Sequence, residues 1–358
     1  MTLIEAADLP ALARGCSVLG AGGGGDTQTG VLAVGQAIEQ FGPVRVVDLD
    51  ELPDDGLVIP CGLVGAPMVA LEKVGSATEG EQLLAGLGKL IGGTVVALMP
   101  LEIGGSNGLR PIGWAVRAGL PIADADGMGR AFPKVSQVTM EIAGVDPSPS
   151  VLTEERSNLV AIWAQDGESL ERIARALSIE FGGRVALAEY PMTAAQARAA
   201  TARGSITLAV RIGRAMAART HASGDPIQAL ERELDARRLI EGRIVDVERR
   251  MAAGFVRGAA LIEGLRADSG RAVRLEIQNE NLVALEGDTV RAMVPDVIVV
   301  LDSHSGEAIH TERLRYGQRV TVAAFPCNPI WRTPRGLTLT GPRAFGYEFD
   351  YVPLEQLQ

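Results

Sequence analysis

Four acidic side chains lie at positions where an α/β sheet protein commonly has its catalytic residues. Glu72, Glu102, Asp124 and Asp126 each follow an apolar stretch closely, and Gly or Asn residues accompany most of them. Ligands of open α/β sheets bind beyond the carboxyl ends of the strands, so we expect these loops to converge. Carboxylates that crowd together separate one another's pKa values, which raises at least one of them toward general acid–base use.

Two further polar side chains belong to the same loops. Asn107 follows the sequence Glu-Ile-Gly-Gly-Ser, and Arg130 follows the Asp-x-Asp segment, where it could balance the acids or hold an anionic substrate. A structural interpretation competes, because Asn107 could cap the helix predicted from residue 108 and Asp126 could close a turn. Because glycines lie beside the acids on several successive loops, we favour a functional site over purely structural roles for these residues.

A glycine loop, LGAGGGGDTQTG, lies near the N-terminus. We predict that Gly22, Gly23, Gly24, Gly25 and Asp26 contact the substrate, the glycine amides acting as an anion or oxyanion site that opens the next helix. The spacing Gly20-x-Gly22-x-x-Gly25 also matches a dinucleotide fingerprint, but that motif needs a buried strand before it. The preceding residues predict a helix, so neither a nicotinamide nor a flavin is expected.

Composition limits the partners. The 358 residues carry a net charge of −10 and only 4% aromatic side chains, which disfavours nucleic acid as a partner. The absence of a long apolar run or of a basic, apolar N-terminal segment predicts a cytoplasmic chain that does not span a membrane. Whether the chain forms a homo-oligomer is left open.

Histidine and cysteine are too sparse to suggest a standard metal or triad site. The only histidines are His221, His304 and His310, and the three cysteines are Cys16, Cys61 and Cys327. We expect the histidines to be dispensable, and we expect Cys16 and Cys61 to be buried and structural. The cofactor therefore stays unknown, and a divalent cation shared by the two aspartates is left open.

Alternation of short apolar runs with helical patterns predicts an α/β domain, a three-layer and largely parallel sheet, over residues 1–167. Residues 168–358 would form a second domain, helical over 168–240 and then β-barrel-like, because the apolar period changes to two from about 243. Within these domains, 137–144 and 336–342 read as strands and 193–240 as helix. The residues 279–281 read as exposed strand ends.

Five strings occur in this order along the chain: LGAGGGGD, GAPMVALEK, LEIGGSNGLRPI, DADGMGRAFP and GPRAFGY. Together they resemble the S-methyl thiohydantoin desulfurase family, which was long a hydantoinase/oxoprolinase-like family of unknown function. The resemblance spans nearly the whole chain and implies an α/β domain joined to a β-barrel-like domain.

The resemblance also implies a hydrolase that exchanges the methylthio group of a cyclic thioimidate, or acts on a related hydantoin or imide. In that reaction Asp124 or Asp126 would be the general base and Glu102 or Glu72 the proton donor. The glycine amides and Arg130 would stabilise the negative charge that develops on the ring, and Asn107 would form hydrogen bonds with the ring amide. Two alternatives remain: an accessory or small-molecule-binding subunit of a hydantoinase system without turnover, and a nucleotide-binding partner enzyme.

Overall fold

The computed structural model describes residues 3–65, 69, 73, 75–221, 225–252 and 255–357. Glu72 lies outside these ranges. The described part contains an α/β domain and an antiparallel β domain. None of its helices is both long enough and apolar enough to cross a bilayer.

The α/β domain takes its helices and strands from the first two thirds of the chain. Its strands are β1 (Leu3–Ile4), β2 (Val44–Val47), β3 (Leu57–Gly65), β4 (Val95–Pro100), β5 (Ile122–Ala123), β6 (Ala125–Asp126), β7 (Ser150–Thr153), β8 (Leu159–Ile162), β9 (Arg184–Ala188), β10 (Met192–Thr193) and β11 (Ala202–Arg203). Its helices are α1 (Leu9–Leu19), α2 (Thr27–Phe41), α3 (Glu79–Leu87), α4 (Arg110–Ala118), α5 (Thr139–Ala143), α6 (Gly167–Glu180), α7 (Ala194–Ala200), α8 (Ser205–His221) and α9 (Pro226–Leu234).

The first sheet is mixed, with the order β1-β2-β5-β4-β3-β9-β7-β8 and β10 paired to β3. Strands β2, β5, β4 and β3 are parallel, whereas β1, β9, β7 and β8 pair antiparallel to their neighbours. The carboxyl ends of β3 and β4 therefore lie side by side at one edge of the sheet.

Alternate side chains of the parallel strands enter two different cores. Ile59 and Leu98 belong to one apolar cluster, while Val58 and Met99 belong to another on the opposite face. Burial on both faces confirms the predicted three-layer arrangement.

The β domain is a seven-stranded antiparallel sheet curled into a half-barrel, with the order β16-β15-β14-β13-β12-β18-β17. Its strands are β12 (Arg237–Ala252), β13 (Phe255–Gly264), β14 (Ala272–Gln278), β15 (Glu280–Glu286), β16 (Thr289–Met293), β17 (Val297–Asp302) and β18 (Arg319–Phe325). A last helix, α10 (Pro334–Thr340), follows the sheet. The β-barrel-like fold class predicted for the C-terminal part of the chain is thus confirmed.

Three predicted elements were wrong. Residues 139–143 form the helix α5, which ends where Gly144 adopts a left-handed φ of 72°. Residues 334–340 form α10, which starts with Thr333 as N-cap and Pro334 in its first turn. The segment 193–240 is three helices interrupted by β11, and β12 already begins at Arg237.

The division at residues 167/168 stays a prediction. Strand β9, which follows that point, pairs with β3 and β7 and so completes the first sheet. Helix α8 packs on α1, which extends the layer on one face of that sheet.

Buried side chains join the two domains. Trp331 donates from Nε1 to the carbonyl oxygen of Met128 at 2.7 Å and packs edge-on against Phe132 with ring centroids 5.0 Å apart. Arg130 reaches from the α/β domain to the carbonyl oxygens of Pro295 and Asp296, both at 2.8 Å. These contacts fix the β domain over the loop that follows β6.

Candidate active site between the two domains

The glycine loop begins where α1 ends and leads into α2. Because a helix rather than a strand precedes it, the loop lacks the context of a dinucleotide fingerprint, as the sequence indicated. Asp26 is the N-cap of α2, with Oδ1 accepting from the backbone N–H of Gln28 at 2.7 Å, and its carboxylate is ion-paired with Arg313.

Close backbone contact explains the run of glycines. A Cβ on Gly24 would lie 2.3 Å from the carbonyl oxygen of Gly104, and a Cβ on Gly105 would lie 2.4 Å from the carbonyl carbon of Gly24. Gly24 and Gly25 also have φ values of 73° and 82°, which favour glycine. The glycine loop and the loop after β4 therefore form one unit held by the backbone N–H groups of Ser106 and Asn107, which donate to the carbonyls of Gly25 and Gly24.

Within the described chain, the N–H groups of Gly24 and Gly25 donate no hydrogen bond. Both residues line a pocket between the domains, whereas Gly22 and Gly23 do not. Gly22 instead packs against Asn281 and Thr311 of the β domain. Of the predicted glycine contacts, the structure therefore places two at the pocket and two at the domain interface.

Glu102 lies on the loop after β4 and lines the same pocket. Its Oε1 accepts a hydrogen bond from Nδ2 of Asn107, and its Oε2 has no partner among the described residues. Burial raises the pKa of Glu102 to about 8, against the opposing effect of the Asn107 hydrogen bond.

Asn107 holds Glu102 in place through a two-way contact with the end of β3. Its Oδ1 accepts from the backbone N–H of Leu63 at 2.7 Å, and its Nδ2 donates to the carbonyl of Leu63 at 3.1 Å. Asn107 lines the pocket, but these bonds already occupy its amide, so it positions Glu102. Its contact with the substrate stays a prediction.

The second pocket acid is Glu280, at the start of β15 in the β domain. Its side chain is buried, its Oε2 has no partner in the described chain, and a Cβ on Gly23 would lie 1.9 Å from its Oε1. Burial raises the pKa of Glu280 well above its usual value, and the nearby Glu102 raises it further. The expectation that 279–281 are exposed strand ends was wrong.

A tight turn aims Glu280 at the pocket. Asn279 adopts a φ of 57°, which Asn tolerates, and joins β14 to β15. Its backbone and Oδ1 bond to Val256, and its carbonyl accepts from Oγ1 of Thr311. An Asn flanked by two strand patterns is a signal for such a turn, and an acid immediately after it could have been read as a site residue.

Arg130 lies behind the two glutamates and not at the pocket wall. It donates from Nε to the carbonyl of Ala131, and its guanidinium packs on the ring of Phe132 at 4.6 Å. Burial lowers its pKa, while the charge of Glu280 acts in the opposite direction. The predicted substrate contact is corrected: Arg130 joins the domains and stabilises the ionised form of the nearby acids.

The side chains of Asp124 and Asp126 do not lie together, which corrects the expectation that both face the cleft. Asp124 accepts hydrogen bonds from the backbone N–H and Oγ1 of Thr207, in the first turn of α8. Oδ2 of Asp126 accepts from the backbone N–H groups of Ile103, Met128 and Gly129. Neither lines the pocket. Asp124 follows the end of β5 and bonds to helix α8, whereas Asp126 belongs to β6 and bonds to the loops that follow β4 and β6.

Asp126 nevertheless supports the site from behind. Its side chain is fully buried, and burial raises its pKa to about 7 against three backbone hydrogen bonds that lower it. Since one of those bonds comes from Ile103, Asp126 fixes the backbone next to Glu102.

The pocket encloses about 840 Å³, including space open to solvent. Met128, Phe132, Leu63 and Val64 give it an apolar wall, and the two glutamates and the Gly24–Gly25 backbone give it a polar one. This combination of an apolar cleft with few polar groups is typical of a small-molecule site. Because Glu72 lies outside the described residues, its predicted role is untested.

All three cysteines are buried and free, as expected for Cys16 and Cys61, and burial raises the pKa of Cys327 to about 12. His304 lies in the turn after β17, whereas His310 is buried and its Nδ1 has no partner in the described ranges. Among the described side chains, no group of three or more His, Cys, Asp or Glu is arranged to hold a metal ion.

Fold and site together define a two-domain α/β and half-barrel protein with an acid-lined pocket at the domain interface. Family models described as "S-Me-THD-like, N-terminal domain" and "S-Me-THD-like, C-terminal domain" match residues 7–164 and 165–354. The chain therefore belongs to the S-methyl thiohydantoin desulfurase-like family.

One solved structure, a crystal structure of a protein from Chromobacterium violaceum, is 23% identical to this chain. It superposes with a TM-score of 0.84 over 99% of this chain and 100% of its own, which supports the fold. No curated protein matches the chain.

Proposed function

We propose that this chain hydrolyses a cyclic thioimidate such as S-methyl thiohydantoin, replacing the methylthio group by oxygen. Membership of the S-Me-THD-like family supports an enzyme of this general kind. The observation that carries the proposal is the pair of buried carboxyl groups, Glu102 and Glu280, which come from different domains and line one pocket.

The two acids differ in the way that acid–base catalysis requires. Asn107 donates to Glu102 and stabilises its ionised form, while burial and the nearby Glu102 hold the pKa of Glu280 well above its usual value. A pair whose pKa values are pushed apart supplies one base and one acid, and Glu102 becomes available as a base as the pH rises toward its pKa of about 8. Glu102 is therefore assigned as the base and Glu280 as the acid.

The proposed reaction balances with these two groups. Glu102 takes a proton from water as its oxygen attacks the ring carbon, and Glu280 protonates the ring nitrogen. In the second step the C–S bond breaks, Glu102 returns its proton to sulfur, and Glu280 takes the hydroxyl proton as the carbonyl forms. The products are a hydantoin and methanethiol, and both glutamates recover their starting state.

The amides of Gly24 and Gly25 supply donors for the charge that develops on the ring or on the new oxygen. Backbone donors that are fixed before the reaction stabilise such charge without reorganisation. Their position at the pocket wall supports this assignment.

The test is turnover of S-methyl thiohydantoin in water enriched in ¹⁸O, with methanethiol and labelled hydantoin as readouts. Glu102→Gln and Glu280→Gln should each lower kcat by about 10²- to 10⁴-fold, the usual range for loss of an acid or base. Glu263→Gln, on the exposed face of β13, is the matched control and should retain activity. Binding of the substrate without product would instead favour an accessory, ligand-binding subunit.

A further inference from the structure

A second cleft lies between the strands β12–β14 and the segment 342–347 near the end of the chain. It encloses about 980 Å³, including space open to solvent, and none of the described residues lines both this cleft and the interdomain pocket. Its lining includes four arginines and two glutamates from the strands, together with Phe345 and Tyr347. In a chain with a net charge of −10, this excess of cations is a local feature of the cleft.

Two of the four arginines are balanced by groups of the chain itself. Arg274 is ion-paired with Glu276 at 2.6 Å, and the charge of Glu248 acts on Arg274 as well. Arg249 donates to backbone carbonyl oxygens, that of Thr311 at 3.1 Å among them. Both glutamates of the cleft are therefore accounted for by one arginine.

The other two arginines, Arg250 and Arg257, have no partner. They are direct cross-strand neighbours in β12 and β13, and neither side chain forms an ion pair or a hydrogen bond with any residue that the structure describes. Like charges directly opposite each other on a sheet destabilise it. An anion bound between the two guanidinium groups would remove this repulsion.

The next residue in the same cross-strand row is Gln278 of β14, a buried polar group. Gln278 is the direct neighbour of Arg257, it lines the cleft, and its exposed fraction is 6%. Within the described chain its side-chain amide forms no hydrogen bond. Because buried amides are normally hydrogen-bonded, this one indicates a partner that comes from outside the chain.

The aromatic residues of the cleft belong to the 3₁₀ turn Pro342–Phe345 and to Tyr347, which closes it. The backbone N–H of Tyr347 donates to the carbonyl oxygen of Pro342 at 3.2 Å and so fixes the turn. Burial raises the pKa of Tyr347, and the charge of Arg257 acts in the opposite direction, so the phenol lies near this guanidinium. The cleft therefore offers an aromatic surface beside its unpaired cations.

We propose that this cleft is a second binding site, which takes a phosphate monoester with a planar ring and does not depend on the proposed reaction. A phosphate monoester carries nearly two negative charges near neutral pH, which matches the two unpaired guanidinium groups of Arg250 and Arg257. Each guanidinium can donate two parallel hydrogen bonds to phosphate oxygens, and the amide of Gln278 can donate another. The planar ring would pack against Phe345.

The test is calorimetry of the full chain with phenyl phosphate, with inorganic phosphate and benzyl alcohol as comparisons. Phenyl phosphate should bind at least about tenfold more tightly than either, because inorganic phosphate lacks the ring and benzyl alcohol lacks the charge. Arg250→Met and Arg257→Met should each weaken its binding by about 10- to 100-fold, the value of hydrogen bonds to a charged group. Gln278→Leu leaves the net charge unchanged and should weaken binding by about three- to tenfold.

Arg243→Met is the matched control and should keep the native affinity. Arg243 is exposed on the same strand, β12, but it does not line the cleft and has Glu263 directly opposite. Thermal melting shows whether each variant is folded. A crystal structure with phenyl phosphate should place the phosphorus atom between Arg250 and Arg257.

Three results would overturn the inference. Equal losses of affinity in Arg243→Met and Arg257→Met would indicate a general attraction of anions to the surface. Equal affinities for phenyl phosphate and inorganic phosphate would mean that the aromatic residues contribute no site for a ring. Phenyl phosphate bound in the interdomain pocket alone would show that the cleft does not bind it.

Discussion

Replacing Glu102 by Gln should change how stability depends on pH. Burial raises the pKa of Glu102 from its ordinary 4.5 to about 8 in the folded chain. Between these values the folded protein keeps the proton while the unfolded chain has lost it, so the stability that the protonated group gives below pH 4.5 is lost as pH rises toward 8. A difference of this size corresponds to roughly 5 kcal/mol of unfolding free energy.

The Glu102→Gln variant has no proton to lose, and its side-chain oxygen can still accept from Asn107. Its stability should therefore fall less than that of the native protein between about pH 5 and pH 9, by an amount on the order of 5 kcal/mol. The charge of Glu102 raises the pKa of Glu280, so the difference between the two proteins reports on the Glu102–Glu280 pair.

The assay is urea unfolding followed by circular dichroism at pH steps across this window. Glu263→Gln, in which an exposed glutamate is replaced, should follow the native curve. Parallel curves for the native protein and Glu102→Gln would show that Glu102 ionises normally in the folded state. The assignment of Glu102 as a raised-pKa base would then be refuted.

Two further predictions concern neighbours of the site. Gly23→Ala should lower turnover by at least about tenfold, because the new Cβ would lie 1.9 Å from Oε1 of Glu280 and must displace the proposed acid. Asp124→Asn should lower stability by about 1–2 kcal/mol through weaker bonds to Thr207 but keep turnover, as measured by melting and initial rates.

Each of these variants has a control. Gly35→Ala places a Cβ at 3.7 Å from its nearest neighbour, an ordinary contact, and should keep activity. Asp55→Asn changes an exposed aspartate and should leave melting unchanged. Full activity in Gly23→Ala would mean that Glu280 is not needed at its present position, and a large rate loss in Asp124→Asn would return that aspartate to the catalytic candidates.

Apolar runs and caps in the sequence predicted most elements of the first domain. The strands that became β3 and β4 are continuous apolar segments, which is the pattern of strands buried on both faces. The error at residues 139–143 arose because period-two spacing in a short segment also fits one and a half turns of helix. Thr333-Pro334, a start signal for α10, preceded the segment that was read as a strand.

The candidate site was only partly predictable. Glu102, Asn107 and the glycine loop were found because dense glycines beside polar residues reflect backbone contact, which the Gly24–Gly105 packing shows directly. Glu280 was missed because its place depends on how the β domain docks on the α/β domain, and sequence spacing carries no information on that docking.

The prediction that Asp124 and Asp126 face one cleft together was wrong for a different reason. Residues two apart point the same way only on a continuous strand, and here Asp124 lies between the two short strands β5 and β6. A break of one residue sends the two carboxylates to separate partners.

The backbone packing of the glycine loop on Gly104 and Gly105 divides the pocket into two walls of different kinds. One wall presents main-chain atoms in positions that leave no room for a side chain, so its chemistry stays the same whatever the neighbouring residues are. The other wall consists of side chains, Met128, Phe132 and Arg110 among them. A substitution at one of these side chains would therefore change the shape of the pocket while the main-chain donors of Gly24 and Gly25 stay in place.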